Sequence, residues 1–173
     1  MHRALAVVCL LLPGIAGAVE GEQTLSLSAR FASLTVTETV DGRNQDRSGF
    51  GGGLLLDYQR AVSDTLWLRA AGAGTVHAIE DQATFAGHAT VGATYQVDVL
   101  KYVPYVSAGI GASVIGGGIL DLQLKPYLEL GVGIDVISST TFSWGIDARF
   151  SSFLSSAAVV MVGPRFSWRW GYF

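Results

Sequence analysis

Two histidines and two serines are the residues of this chain best equipped for covalent chemistry. His77 and His88 flank Glu80-Asp81-Gln82, and a strand-by-strand reading sets Ser113 and Ser151 at a similar height. A histidine base beside a serine would activate its hydroxyl for attack on an ester. No Gly-x-Ser-x-Gly motif accompanies them, however, and neither histidine has an identifiable orienting carboxylate. Such histidines are more often polar fillers, so no catalytic residue is assigned. The histidines stand eleven residues apart, which fits no metal-ligand spacing, and the glycine runs lack the lysine of a phosphate loop. Neither cofactor nor metal is expected. The remaining chemistry is ionic, carried by Asp57, Arg69, Glu129, Asp135, Asp147, Arg149, Arg165 and Arg169 in otherwise apolar surroundings.

The elements that must position these charges are read most clearly at 120–136. Leu120, Leu122, Leu124, Leu128, Leu130, Val132, Ile134 and Val136 occupy even positions, while Asp121, Gln123, Lys125, Tyr127, Glu129 and Asp135 occupy odd ones. Successive side chains of an extended chain point to opposite faces, so this is a strand with one apolar and one polar face. Its length suits a tilted strand that crosses a bilayer, which takes about 9–11 residues. Alternation predicts eight such segments, near 24–37, 49–60, 66–77, 84–97, 103–115, 120–136, 142–151 and 158–172. In the first, apolar residues change parity between Phe31 and Leu34, which predicts a bulge.

Connections are expected to alternate as well. Compact turns are read at Ser63-Asp64, 98–102 and 138–141; a long polar loop is read at 38–48, with shorter ones at 80–82, 116–118 and 151–157. Short turns on one rim and longer loops on the other suit a membrane barrel, and an even strand number returns both termini to the short-turn side. Tyr58, Trp67, Tyr95, Tyr102, Phe142, Trp144, Trp168 and Trp170 are expected to form an aromatic girdle at that rim. Phe50, Phe85, Phe150 and Phe153 would form a smaller one opposite.

Composition agrees with one unusual domain. Of 173 residues 50% are hydrophobic and only 14% charged, and 22 glycines run through the periodic segments, a poor fit to helices. Residues 1–18 read as a signal peptide: His2 and Arg3, an apolar run from Ala4 to Leu12, then Ala16-Gly17-Ala18 as the cleavage site. Cleavage there would remove the sole cysteine, Cys9, and leave a domain over 19–173. Loss of Arg3 takes the net charge from -3 to -4, and no basic stripe suggests nucleic acid.

The whole pattern resembles the small outer-membrane β-barrels, the OmpA/OmpX-like class of eight-stranded proteins. That resemblance implies an all-β, antiparallel, up-and-down transmembrane barrel in a bacterial outer membrane, with lipid and the barrel assembly machinery as partners. The end of the chain, Phe166-Ser167-Trp168-Arg169-Trp170-Gly171-Tyr172-Phe173, looks like the class's assembly signal. Its aromatics sit one position out of step with Phe173, a mismatch that a bulge near Gly171 would repair. Two other folds fit less well. A transmembrane helix over 102–120 would carry Pro104 and five glycines and leave the other segments without a sheet. A secreted lipocalin-like carrier would need the apolar faces turned inward.

If those faces meet lipid, the charges line the lumen. Counting from the short turns puts Asp57, Arg69, Asp135 and Arg169 in a low layer and Glu129, Asp147, Arg149 and Arg165 in a higher one, with Glu129 facing Arg149 across the sixth and seventh strands if their turn has three or five residues. Enclosed charges need partners, so a structural plug of ion pairs is expected, with a selectivity ring for small ions as the functional alternative. The loop 38–48 is the candidate contact for an extracellular ligand, through Asp41, Arg43, Asn44, Asp46 and Arg47. The reading is thus a structural or surface-interaction component of the envelope. Small-solute permeation is the alternative, and a lipid-modifying enzyme or a ligand carrier is less favoured.

Overall fold

The computed structural model describes residues 21–40, 43–79, 82–97, 99, 101–117, 120–153 and 157–171. Eight strands account for nearly all of them: β1 (Gln23–Val40), β2 (Arg43–Ala61), β3 (Leu66–Ile79), β4 (Gln82–Gln96), β5 (Tyr102–Gly117), β6 (Leu120–Ser139), β7 (Phe142–Phe153) and β8 (Ala157–Trp170). Each pairs antiparallel with its neighbour in sequence, and β8 pairs with β1 to close a barrel. Closure satisfies every strand edge around the wall. The described residues of the segment 102–120 are strand and not helix, as its glycines and Pro104 require. Residues 1–18, read from the sequence as a signal peptide, lie outside the described residues.

The stagger of the barrel can be walked from residue to residue. Starting at Leu25, direct pairs lead through Tyr58, Ala70, Val91, Ile110, Leu128, Ser152 and Ala158 and meet β1 again at Thr35, ten residues further along. Such a shear tilts every strand against the barrel axis. Paired neighbours on successive strands therefore climb the wall, and distance from a turn is not height.

Outward positions carry the apolar residues, as alternation predicts. Leu54, Leu68, Val91, Ile110, Leu130, Ile146 and Val162 are among the exposed large side chains, while Asp57, Arg69, Glu129, Asp147, Arg149 and Arg165 are buried inside. Tyr58, Tyr95, Tyr102, Trp144, Trp168 and Trp170 ring the rim at which β1 begins and β8 ends, here called the lower rim. Two girdle assignments need correcting: Trp67 and Phe153 are each only 2% exposed and face the lumen. Both stand at inward parity on their strands, where size alone cannot tell an interface anchor from a filler.

Three further expectations are revised. No bulge interrupts β1, whose register with β2 runs unbroken from Gln23 to Val40. Its change of parity arises because Ala32, Leu34 and Val36 are apolar residues that point inward. Register shifts occur instead between Ile115 and Gly117 and between Ile137 and Ser139. The upper connections are no longer than the lower ones; only 41–42 separate β1 from β2, and only 118–119 separate β5 from β6. What projects is paired ribbon. Val40 pairs with Arg43, while among the described residues β2 first meets β3 at Phe50. The sequence at 38–48 carries almost only polar residues, so the period-2 signal vanishes although backbone pairing continues.

Interior glycines make room for the inward tyrosines. A Cβ at Gly111 would collide with the ring of Tyr127, and one at Gly133 with that of Tyr105. Gly171 follows β8 with φ +90°, a left-handed backbone that ends the extended strand. Tyr172 and Phe173 lie outside the described residues.

Candidate functional site: the barrel lumen

The lumen is built in tiers. In the middle, Arg69 and Arg149 are joined by two shared carboxylates. Asp57 Oδ2 accepts from Arg69 Nε at 3.1 Å and Nη2 at 2.9 Å and from Arg149 Nη2 at 2.7 Å. Glu129 Oε1 accepts from Arg69 Nη1 at 2.5 Å and Arg149 Nη1 at 3.0 Å. The four side chains close a ring across the barrel, contributed by β2, β3, β6 and β7. Arg149 Nε also donates to Asp147 Oδ2 at 2.8 Å, and Asp147 in turn pairs with Arg30 of β1. All of these side chains are essentially removed from solvent. In such surroundings each charge is tolerable only because its partners are in place.

Below the ring, Arg165 lies 3.6 Å from Asp135, donates to Ser26 Oγ at 2.9 Å, and stacks its guanidinium 4.8 Å from the centre of the Tyr105 ring. Arg169 Nε donates to Glu22 Oε1 at 2.9 Å at the lower mouth. A polar recess lined by Thr24, Gln59, Gln96 and Ser143 opens there, with about 10 Å³ of space, enough for one water.

Above the ring the lumen combines an apolar cluster with buried neutral polar side chains, among them His77, Thr84, His88, Ser113 and Ser151. Ala32, Leu34, Val36, Ile79, Ala86, Ile115, Tyr127, Phe153, Val159 and Met161 form one buried cluster fed by seven of the eight strands. Tyr127 and Phe153 pack at a tilt with ring centres 5.4 Å apart, and His88 packs 5.6 Å and 5.9 Å from them. A hydrogen bond joins the hydroxyls of Thr90 and Tyr127. This cap stands between the ion pairs and the upper rim.

The residues read from sequence as the luminal set are therefore brought together, in a different grouping from the two layers expected. Asp57 and Arg69 join Glu129, Asp147 and Arg149, whereas Arg165 joins Asp135. Counting from the turns neglected the shear. Glu129 is paired in register with Ser151 and Arg149 with Gly131, so their bridge is diagonal. Glu22 and Arg30 were missed. Arg30 shares its parity with Ser26 and Ser28, a signal obscured by the apolar residues that follow on the same face.

The histidines and serines take packing positions. His88 is the cross-strand partner of Ser113, yet neither His88 nitrogen nor the hydroxyls of Ser113 and Ser151 has a hydrogen-bond partner among the described residues. His77 Nε2 pairs with Thr75 Oγ1 at 2.8 Å. The candidate ligand contacts lie on the β1–β2 ribbon: Arg43, Asn44, Asp46 and Arg47 pair in register with Val40, Thr39, Thr37 and Val36, and Asp41 lies outside the described residues.

Known structures share this architecture. Neisserial surface protein A is 12% identical with a TM-score of 0.70, over 89% of this chain and 100% of that one. OprG from Pseudomonas aeruginosa is 12% identical with a TM-score of 0.63, over 89% and 98%. Ail, the attachment invasion locus protein of Yersinia pestis, is 16% identical with a TM-score of 0.58, over 87% and 99%. The chain matches no protein-family model, and its sequence matches no curated protein. Likeness at these identities speaks for the fold, which is the eight-stranded antiparallel barrel of small outer-membrane proteins.

Proposed function

We propose that this chain is an integral outer-membrane barrel that serves the envelope as a structural and surface-interaction component, with residues 1–18 removed on export. The exposed apolar belt, flanked below by aromatics, supports the membrane setting, since such a surface is stable only against lipid. One observation carries the functional reading. The lumen is occupied by a charge-balanced ring and, above it, by an apolar cap, two unlike seals in series. Packed side chains fill the lumen at both levels, which argues against an open pore. Burial of His88, Ser113 and Ser151 inside that cap argues against an esterase, because a lipid ester has no path to them.

Surface contact is assigned to the β1–β2 ribbon. In β2, residues 43–49 pair with β1 above Phe50, the first described pair of β2 with β3, so this ribbon extends past the belt and is the segment best placed for contact. Assembly would use the outward aromatics of β8, Phe166, Trp168 and Trp170, continued by Tyr172-Phe173.

Liposome swelling tests the absence of permeation. Vesicles reconstituted with the protein should swell no faster in small sugars than empty vesicles. Swelling that scales with protein content would restore the small-solute pore.

A further inference from the structure

The outward wall of β4 to β7 is not uniform. Val91, Ile110, Leu128 and Phe150 stand up from it, and between them the wall drops to the small side chain of Ala108, leaving a groove of about 520 Å³. Ligand pockets in general occupy about 300–1,000 Å³, so the depression is of binding size. Its lining is apolar apart from Ser152 at the upper end; Glu129 borders it but turns its carboxylate into the lumen, where it holds Arg69 and Arg149.

Position decides what can fill it. On β5 the groove residues Ala108 and Ile110 stand six and eight positions from Tyr102 of the lower girdle, from the middle into the upper part of a crossing that takes about 9–11 residues. The groove is continuous with the lipid-facing belt on all sides, and an occupant must be apolar along its length and arrive from within the bilayer.

We propose that this groove binds one acyl chain of a lipid in the leaflet at the upper rim, holding it longer than the chains that slide over the rest of the barrel. The inference rests on the membrane setting proposed above. Ala108 is the controlling residue, because a larger side chain there would fill the groove from its floor while leaving the lumen untouched. Ala29, an exposed outward alanine on β1, provides the matching control on the far side of the barrel.

The experiment is native mass spectrometry of the full chain released from nanodiscs of dimyristoylphosphatidylcholine, comparing wild type, Ala108→Trp and Ala29→Trp. Heat-shifted mobility in SDS establishes beforehand that each variant is folded, which separates failure of the barrel reading from failure of this one. If tryptophan at 108 blocks folding, Ala108→Leu projects into the same space. Wild type and Ala29→Trp should retain one lipid at collision energies that strip the others, and Ala108→Trp should lose it. Equal retention in all three, loss in both variants, or a retained second copy of the chain in place of lipid would overturn the proposal.

Discussion

The two halves of this lumen solve one problem in opposite ways. Below, inward side chains are charged and hold one another through shared carboxylates; above, they are apolar, aromatic or neutral polar and hold chiefly by packing. The difference shows that a barrel interior need not be polar to be an interior. Closure removes the strand edges, after which only volume and partner satisfaction constrain what fills the middle.

Substitutions can break the comparison from either side. The largest effect is expected at Arg149, which touches Asp57, Glu129 and Asp147; Arg149→Ala leaves three buried carboxylates short of a partner and should cost about 3–5 kcal/mol in denaturant unfolding from lipid vesicles. In the upper half, Leu34→Ala opens a cavity in a packed cluster without stranding any charge, and about 2–5 kcal/mol is expected by the same measurement. The halves differ more sharply under full replacement. Exchanging Asp57, Arg69, Glu129 and Arg149 together for apolar residues of similar volume should cost far less than Arg149→Ala alone, because it removes the charges along with their partners.

The outer surface sharpens the picture at smaller magnitude. Leu130 faces lipid in mid-belt, and Leu130→Arg should cost about 2–4 kcal/mol. Leu122 and Leu124 are 70% and 72% exposed, and they stand beyond the ten or so residues that a crossing takes from Val136, which pairs with the girdle residues Tyr102 and Trp144. Leu122→Arg should therefore cost only about 0–1 kcal/mol, and an equal loss at both positions would show that the belt has been drawn at the wrong height.

How far the sequence could be read follows the same division. Strand number, strand order and the membership of most of the ionic set were legible because apolar-out, polar-in alternation holds through the belt, as at Leu128 to Val136. Alternation failed where the lumen itself is apolar. Leu34 and Val36 looked like a shifted outer face, Phe153 looked like an interface anchor, and Arg30 was hidden beside them. It failed again above the belt, where the polar ribbon at 38–48 looked like a loop. The pairing of the charges was not legible either, because stagger accumulates across strands and no single hairpin displays it; only the closed circuit from Leu25 to Thr35 does.

Single-channel recording in planar bilayers tests the central claim of two seals in series most directly. Wild-type protein and each of Arg149→Ala and Leu34→Ala should give no discrete conductance steps, since either seal alone still closes the barrel. Stable, ohmic steps from the wild-type protein would contradict a filled lumen and make the ring of Arg69, Asp57, Arg149 and Glu129 the wall of a channel.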